Sequence, residues 1–159
     1  MKKILYLLAF TVVLASCKSG SAASSRISSN SLADKIVNSA SKHIGAPYKT
    51  AGKTPSGYDC SGLVYSTFGE FDIQLPRTSY SQSKTGKSLG QNSNKAAKGD
   101  LIFFKTNNSS RVNHVGIVTD ATNDEIKFIH ASTSRGVIIS STKESYYEKS
   151  FTQVNRILE

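Results

Sequence analysis

The chain has 159 residues, 38% of them hydrophobic and 9% aromatic, which is enough for one domain with a real core and little more. Twenty basic side chains against eleven acidic ones give a formal charge of +9, a surplus that calls for nucleic acid, anionic lipid or an anionic polymer as partner. No single basic run is dense enough to name a binding site, so most of these charges read as solvated surface.

The first sixteen residues stand apart. Lys2 and Lys3 precede an apolar stretch from Ile4 to Val13 that is too short to span a bilayer permanently. Leu14-Ala15-Ser16-Cys17 comes next, and small residues directly before a cysteine resemble the bacterial lipoprotein signal, in which that cysteine takes the lipid and becomes the first residue of the mature chain. The expectation is a signal peptide at 1–16 and lipid on Cys17. Without the signal the chain keeps 18 basic and 11 acidic residues, formally +7. Export argues against nucleic acid and leaves the carboxylates of a bacterial wall as the anionic partner. Residues 17–31 are Ser-rich and nearly free of large apolar side chains, a tether with a root-mean-square span of about 20 Å.

From residue 32 onward a single folded unit is expected, with helices first and strands afterwards. Ser31 and Asp34 make a capping-box-like start, and Leu32, Ile36, Val37, Ala40 and Ile44 recur at helical spacing until Gly45 and Pro47 end the helix. Leu63, Val64, Tyr65, Thr67 and Phe68 predict a second, buried helix, and the polar stretch from Pro76 to Ser88 a short helix. After Gly99-Asp100 the pattern becomes that of strands: Leu101 to Phe104, His114 to Thr119, Glu125 to His130, Gly136 to Ser140 and Gln153 to Ile157. This order predicts an α+β domain, N-terminal helices packed on a roughly five-stranded antiparallel sheet. His114, Gly116 and Val118 would share one face, as would Ile126, Phe128 and His130 on the next strand, with Gly116 leaving open space for a pocket floor.

Asp59-Cys60-Ser61-Gly62 lies between the turn-rich Gly52–Gly57 approach and the second helix. Asp59 is a good N-cap, so Cys60 falls in the first helical turn, where unpaired N–H groups and the helix dipole favour a thiolate titrating below the usual value of about 8.5. A buried structural cysteine is the competing reading. With Cys17 lipidated, Cys60 is an unpaired thiol in an exported chain, and catalysis would explain it.

The sequence has three histidines. His43, near the end of the first helix, reads as a surface residue that complements the dipole. His114 and His130 sit on neighbouring strands and, with Cys60, supply a nucleophile, a base and a group to orient the base. Their wide separation lacks the short ligand spacings of a zinc site, so no metal is expected. No glycine-rich phosphate loop is present.

Six blocks occur in order: Gly45-Ala46-Pro47-Tyr48, Gly57-Tyr58-Asp59-Cys60-Ser61-Gly62-Leu63-Val64, Leu75-Pro76-Arg77-Thr78-Ser79, Gly99-Asp100-Leu101-Ile102-Phe103-Phe104, Asn113-His114-Val115-Gly116-Ile117-Val118 and Phe128-Ile129-His130-Ala131-Ser132-Thr133. This series resembles the NlpC family of bacterial cell-wall cysteine peptidases, in particular its single-domain lipoprotein members, from about Leu32 to the carboxyl terminus. The resemblance implies a papain-like cysteine peptidase fold over 32–159, with Cys60 as nucleophile, His114 as base and His130 orienting it. It implies that Tyr48, Asp59 and Ser61 line the substrate cleft; Arg77 matches a family position too, with helix–loop packing as its alternative use. Lys53 departs from the family, many members having a second glycine there.

The same resemblance implies hydrolysis of peptidoglycan stem peptides beside a diamino acid, at the γ-D-glutamyl–diamino acid bond or at the D-alanyl–diamino acid cross-link, without a cofactor. A monomer is expected, lipid-anchored at a bacterial membrane and facing the periplasm from the outer membrane where the organism has one. A wall-binding lipoprotein with little activity and a papain-like acyltransferase are the alternatives.

Overall fold

The computed structural model describes residues 32–158, so the expected signal peptide, the lipid site at Cys17 and the tether lie outside the described residues. Helix α1 spans 32–41 and buries Ala33, Ile36, Val37 and Ala40. It stops three residues short of the expected Ile44. Lys42, His43 and Ile44 donate to carbonyls only three residues back, a tightened last turn that swings Ile44 into solvent. Gly45 then adopts φ +88°, and its N–H donates to the Val137 carbonyl.

A short hairpin of β1 (Lys53–Thr54) and β2 (Gly57–Tyr58) leads into α2 (Cys60–Gly69), which buries Leu63, Val64, Thr67 and Phe68. Helix α3 (Ser79–Gln82) is one turn capped by the Thr78 side chain, and β3 (Lys87–Gly90) comes after it. Beyond a 3-10 turn at Ser93–Lys95 lie β4 (Leu101–Phe104), β5 (His114–Ala121), β6 (Ile126–Ser132), β7 (Gly136–Ser141), α4 (Ser145–Ser150) and β8 (Phe151–Arg156).

These strands make one antiparallel sheet in the order β3-β8-β4-β5-β6-β7, six strands where five were expected. The added strand is β3, an exposed edge segment without apolar alternation, which pairs with β8. The fold is the expected α+β arrangement with helices against an antiparallel sheet.

Both faces of the sheet are covered, which is why Leu101-Ile102-Phe103-Phe104 is apolar throughout. Leu101, Phe103, Val115, Ile117 and Ile129 face α1 and α2 in one core. Ile102, Phe104, Val118, Ile126 and Phe128 face the other way and are closed by Tyr147 of α4. His114 and His130 belong to this second face, beside Tyr147.

Gly116 is not the open floor that its sequence context suggested. A Cβ there would lie 2.7 Å from the Phe128 ring, 3.0 Å from the Ile129 carbonyl and 3.3 Å from the His130 Cβ. The glycine is what lets β6 press its Phe128 and His130 side chains over β5. Gly116→Ala is therefore expected to cost about 1–3 kcal/mol through overpacking, read by urea unfolding. An unchanged midpoint would show that this contact yields freely.

Candidate active site

The site starts from the Asp59 carboxylate. Its Oδ1 accepts the Gly62 N–H at 2.6 Å, closing the N-terminus of α2, and the Ser61 hydroxyl at 3.3 Å. Arg77 grips the same group with a fork, Nη1 to Oδ1 at 2.9 Å and Nη2 to Oδ2 at 2.7 Å. Arg77 also donates to Ser61 Oγ at 3.0 Å and the Gly52 carbonyl at 3.3 Å. The network leaves no room at Gly62, where a Cβ would lie 1.9 Å from the Gly52 oxygen. Asp59, Ser61 and Arg77 thus meet around the helix start, and the packing use of Arg77 is visible in these bonds.

Gly52 is equally confined, since a Cβ would lie 2.3 Å from the Gly57 oxygen. The next position tolerates a side chain: Lys53 is exposed, and its ammonium lies 5.7 Å from the Tyr65 ring centroid. Lysine in place of the family's second glycine therefore leaves the loop intact.

Cys60 is the first residue of α2 and a free cysteine. Its sulfur lies 4.0 Å from the Asn113 carbonyl, and the Val115 N–H is among the groups that favour its charged form, so it faces the backbone on both sides of His114. Asn113 fixes that backbone: its amide accepts from the Thr106 N–H at 2.8 Å and donates to the Thr106 carbonyl at 3.1 Å. Tyr48 is close enough that burial first, then the charges of Cys60 and Asp59, raise its phenol above the ordinary value.

The thiol is not lowered as the helix start alone predicts. Burial, and after it the Asp59 charge, push Cys60 up to about 11, against the opposing N–H groups of Val115, Ser61 and Cys60 itself. The same carboxylate that caps the helix therefore opposes the thiolate.

His114 Nε2 lies 3.0 Å from His130 Nδ1, and His130 Nε2 lies 3.3 Å from the Tyr147 hydroxyl. His130 is fully buried. Burial lowers His114 to about 4; burial, then His114 and Arg135, lower His130 to about 3. Both rings are neutral at pH 7. If His114 donates its Nε2–H to His130 Nδ1, its other nitrogen keeps a lone pair for a proton, and His130 is left to donate Nε2–H to Tyr147. One chain of hydrogen bonds thus sets the tautomer that a base requires.

Tyr147 was not anticipated from the sequence. Its signal is the Tyr146-Tyr147 doublet, which without α4 in view reads as an ordinary aromatic pair. His43, expected at the surface, is half-buried against Tyr58, whose hydroxyl lies 3.3 Å from His43 Nε2. It takes no part in the group around Cys60.

A thiol at a helix start, set against the strand that carries one of two hydrogen-bonded histidines, is the arrangement of a thiol hydrolase. The NlpC/P60 family model matches residues 45–156, and the chain belongs to that family. It is 39% identical over 125 residues to "Murein DD-endopeptidase MepS/Murein LD-carboxypeptidase" of Escherichia coli K12, covering 78% of this chain and 62% of the relative. It is 44% identical over 114 residues to "Probable endopeptidase NlpC" of the same organism, 71% of this chain and 70% of that one. The chain thus spans about three fifths of the length of the MepS relative. A crystal structure of a Bacillus cereus NlpC/P60 family protein superposes with a TM-score of 0.70 at 29% identity, covering 80% of this chain and 40% of that one.

This geometry has two measurable outcomes. Between about pH 6.5 and 3 the unfolded chain binds more protons than the folded one, because both histidines are lowered only in the fold. Stability should therefore fall by at least a few kcal/mol on acidification through that window, and His130→Asn should flatten the slope. A level urea-unfolding profile there would contradict burial of neutral rings. Tyr147→Phe removes the partner of a buried ring nitrogen at a cost of about 1–3 kcal/mol. It should also mix the His130 tautomers seen in nitrogen chemical shifts, whereas unaltered shifts would deny Tyr147 its orienting part.

Proposed function

We propose that the protein is a peptidoglycan endopeptidase that cleaves stem-peptide amides beside a diamino acid by thiol catalysis. The observation that carries this reading is the hydrogen-bonded His114–His130 pair on the strand against which the Cys60 sulfur is lodged. The murein endopeptidase named among its relatives supports the substrate class.

At rest, thiol and imidazole are both neutral. As the sulfur attacks the carbonyl, the S–C bond forms and the thiol proton passes to His114; the two charges arise together, and their attraction offsets part of the cost of burying them. The Gly62 N–H is held by Asp59, so the backbone N–H groups of Cys60 and Ser61 remain at the helix start to receive the developing oxyanion. His114 then gives its proton to the departing nitrogen and the C–N bond breaks. Water, losing a proton to His114, attacks the acyl-enzyme, the S–C bond breaks, and the sulfur recovers its proton. His130 and Tyr147 hold the imidazole through both steps. Tyr48, Asp59, Ser61 and Arg77 would form the acyl-side wall of the cleft, with Asp59 and Arg77 tied to each other.

The lipoprotein-like segment at Leu14–Cys17 supports export and lipid anchoring through Cys17, with the domain on a Ser-rich tether and acting as a monomer. In an organism with an outer membrane, Lys18 after the lipidated cysteine favours that membrane over the inner one.

Muropeptide mass spectrometry after digestion of purified peptidoglycan tests the reading. The wild-type chain should release soluble fragments and Cys60→Ala should lower the rate by at least about a thousandfold, the scale expected when a covalent nucleophile is lost. Undiminished release by Cys60→Ala would remove the thiol from the chemistry; transfer products in place of hydrolysed ones would indicate an acyltransferase.

A further inference from the structure

The side of the cleft that receives the leaving group carries its own charge. The departing nitrogen takes its proton from His114, so the leaving group must lie on the His114 side of the sulfur. There the ring opens onto a cavity of about 300 Å³ shaped by Asn107, Arg135, Glu144, Tyr146 and Tyr147. Tyr146 and Asn107 are joined across its rim by a 3.1 Å hydrogen bond.

Arg135 supplies the positive charge in this lining. Among the described residues its ion pair is with Glu144 at 3.7 Å, beyond hydrogen-bond range, and its side chain is 57% exposed. Glu144 is better engaged, since its Oε1 accepts the Ser141 N–H at 2.9 Å. The guanidinium thus lines the cavity beside Glu144 without a hydrogen bond to it, and its donor fork is left open in the geometry that suits a carboxylate. Arg77 on the opposite side is unlike it, because its fork is already closed on Asp59.

We propose that Arg135 forms a leaving-group subsite that binds the free α-carboxylate on the carbon bearing the scissile nitrogen. The proposal rests on the peptidase reading above and narrows it. A D-alanyl–diamino acid cross-link places a free carboxylate there when the diamino acid is diaminopimelate, whose second amino-bearing carbon carries a carboxyl, as does a terminal D-amino acid released from a stem. A γ-D-glutamyl bond in a stem that continues beyond the diamino acid does not, because that carboxyl is already an amide. The subsite thus selects the cross-link or the free end.

The test uses two peptides that differ only in carrying a carboxylate or a carboxamide next to the scissile amide on the leaving side. With the purified full-length chain, kcat/KM should be at least about tenfold higher for the acid, mostly through KM, as a charge-assisted hydrogen bond predicts. Arg135→Ala should bring the ratio to within about threefold of unity, and Arg135→Lys should restore part of it. Equal cleavage of both peptides by the wild type, or an unchanged ratio in Arg135→Ala, overturns the subsite while leaving the peptidase intact. If neither peptide nor peptidoglycan is cleaved, the peptidase reading fails instead, and binding of the two peptides to Cys60→Ala still decides the subsite. Tighter binding of the acid that is lost in Cys60→Ala combined with Arg135→Ala supports it, and equal binding rejects it.

Discussion

The Asp59 carboxylate is the constraint on which the site depends. It closes the first turn of α2, accepts the Ser61 hydroxyl and takes the Arg77 fork. Those bonds decide where the helix begins and therefore where the Cys60 sulfur sits. The arrangement has an electrostatic cost, since a carboxylate beside a buried thiol disfavours the thiolate. Arg77 offsets this by neutralising Asp59 at bonding distance. The network is best understood as a scaffold that trades ionisation of the sulfur for precise placement.

A second placement problem is solved in the sheet. The Ile117–Ile129 register brings Gly116 against His130, and the missing side chain lets the His130 ring reach His114. Asn113 fixes the entry to β5 from one end, and Tyr147 closes the far nitrogen of His130 from α4. The His114 ring is thus held by groups from three elements, and its surroundings keep it neutral. Burial lowers the histidine and raises the cysteine, so both side chains favour their neutral forms.

Much of this was legible in the chain. The Asp59 cap, the buried stripe of α2 and the five apolar strands are set by spacing and side-chain type, and the two strand histidines stand out because the sequence has so few. What escaped was what depends on contacts remote in sequence. The edge strand β3 is polar and exists because β8 offers it hydrogen bonds. Tyr147 and Arg135 carry no local pattern; only the closure of α4 and the β6–β7 turn over the second face gives them positions near His114. Gly116 and Cys60 were misjudged for one reason, which is that sequence shows what a residue permits locally and not what packs over it. An absent side chain was filled by a neighbouring strand, and a helix dipole was outweighed by desolvation.

Holding the Cys60 thiol in its protonated form also bears on its survival. The thiolate is the form that attacks peroxides and disulfides, and burial with the Asp59 charge shifts Cys60 away from that form. Under the proposed mechanism the Cys60 sulfur would stay protonated toward small oxidants and would become reactive where a bound amide and His114 draw the proton away.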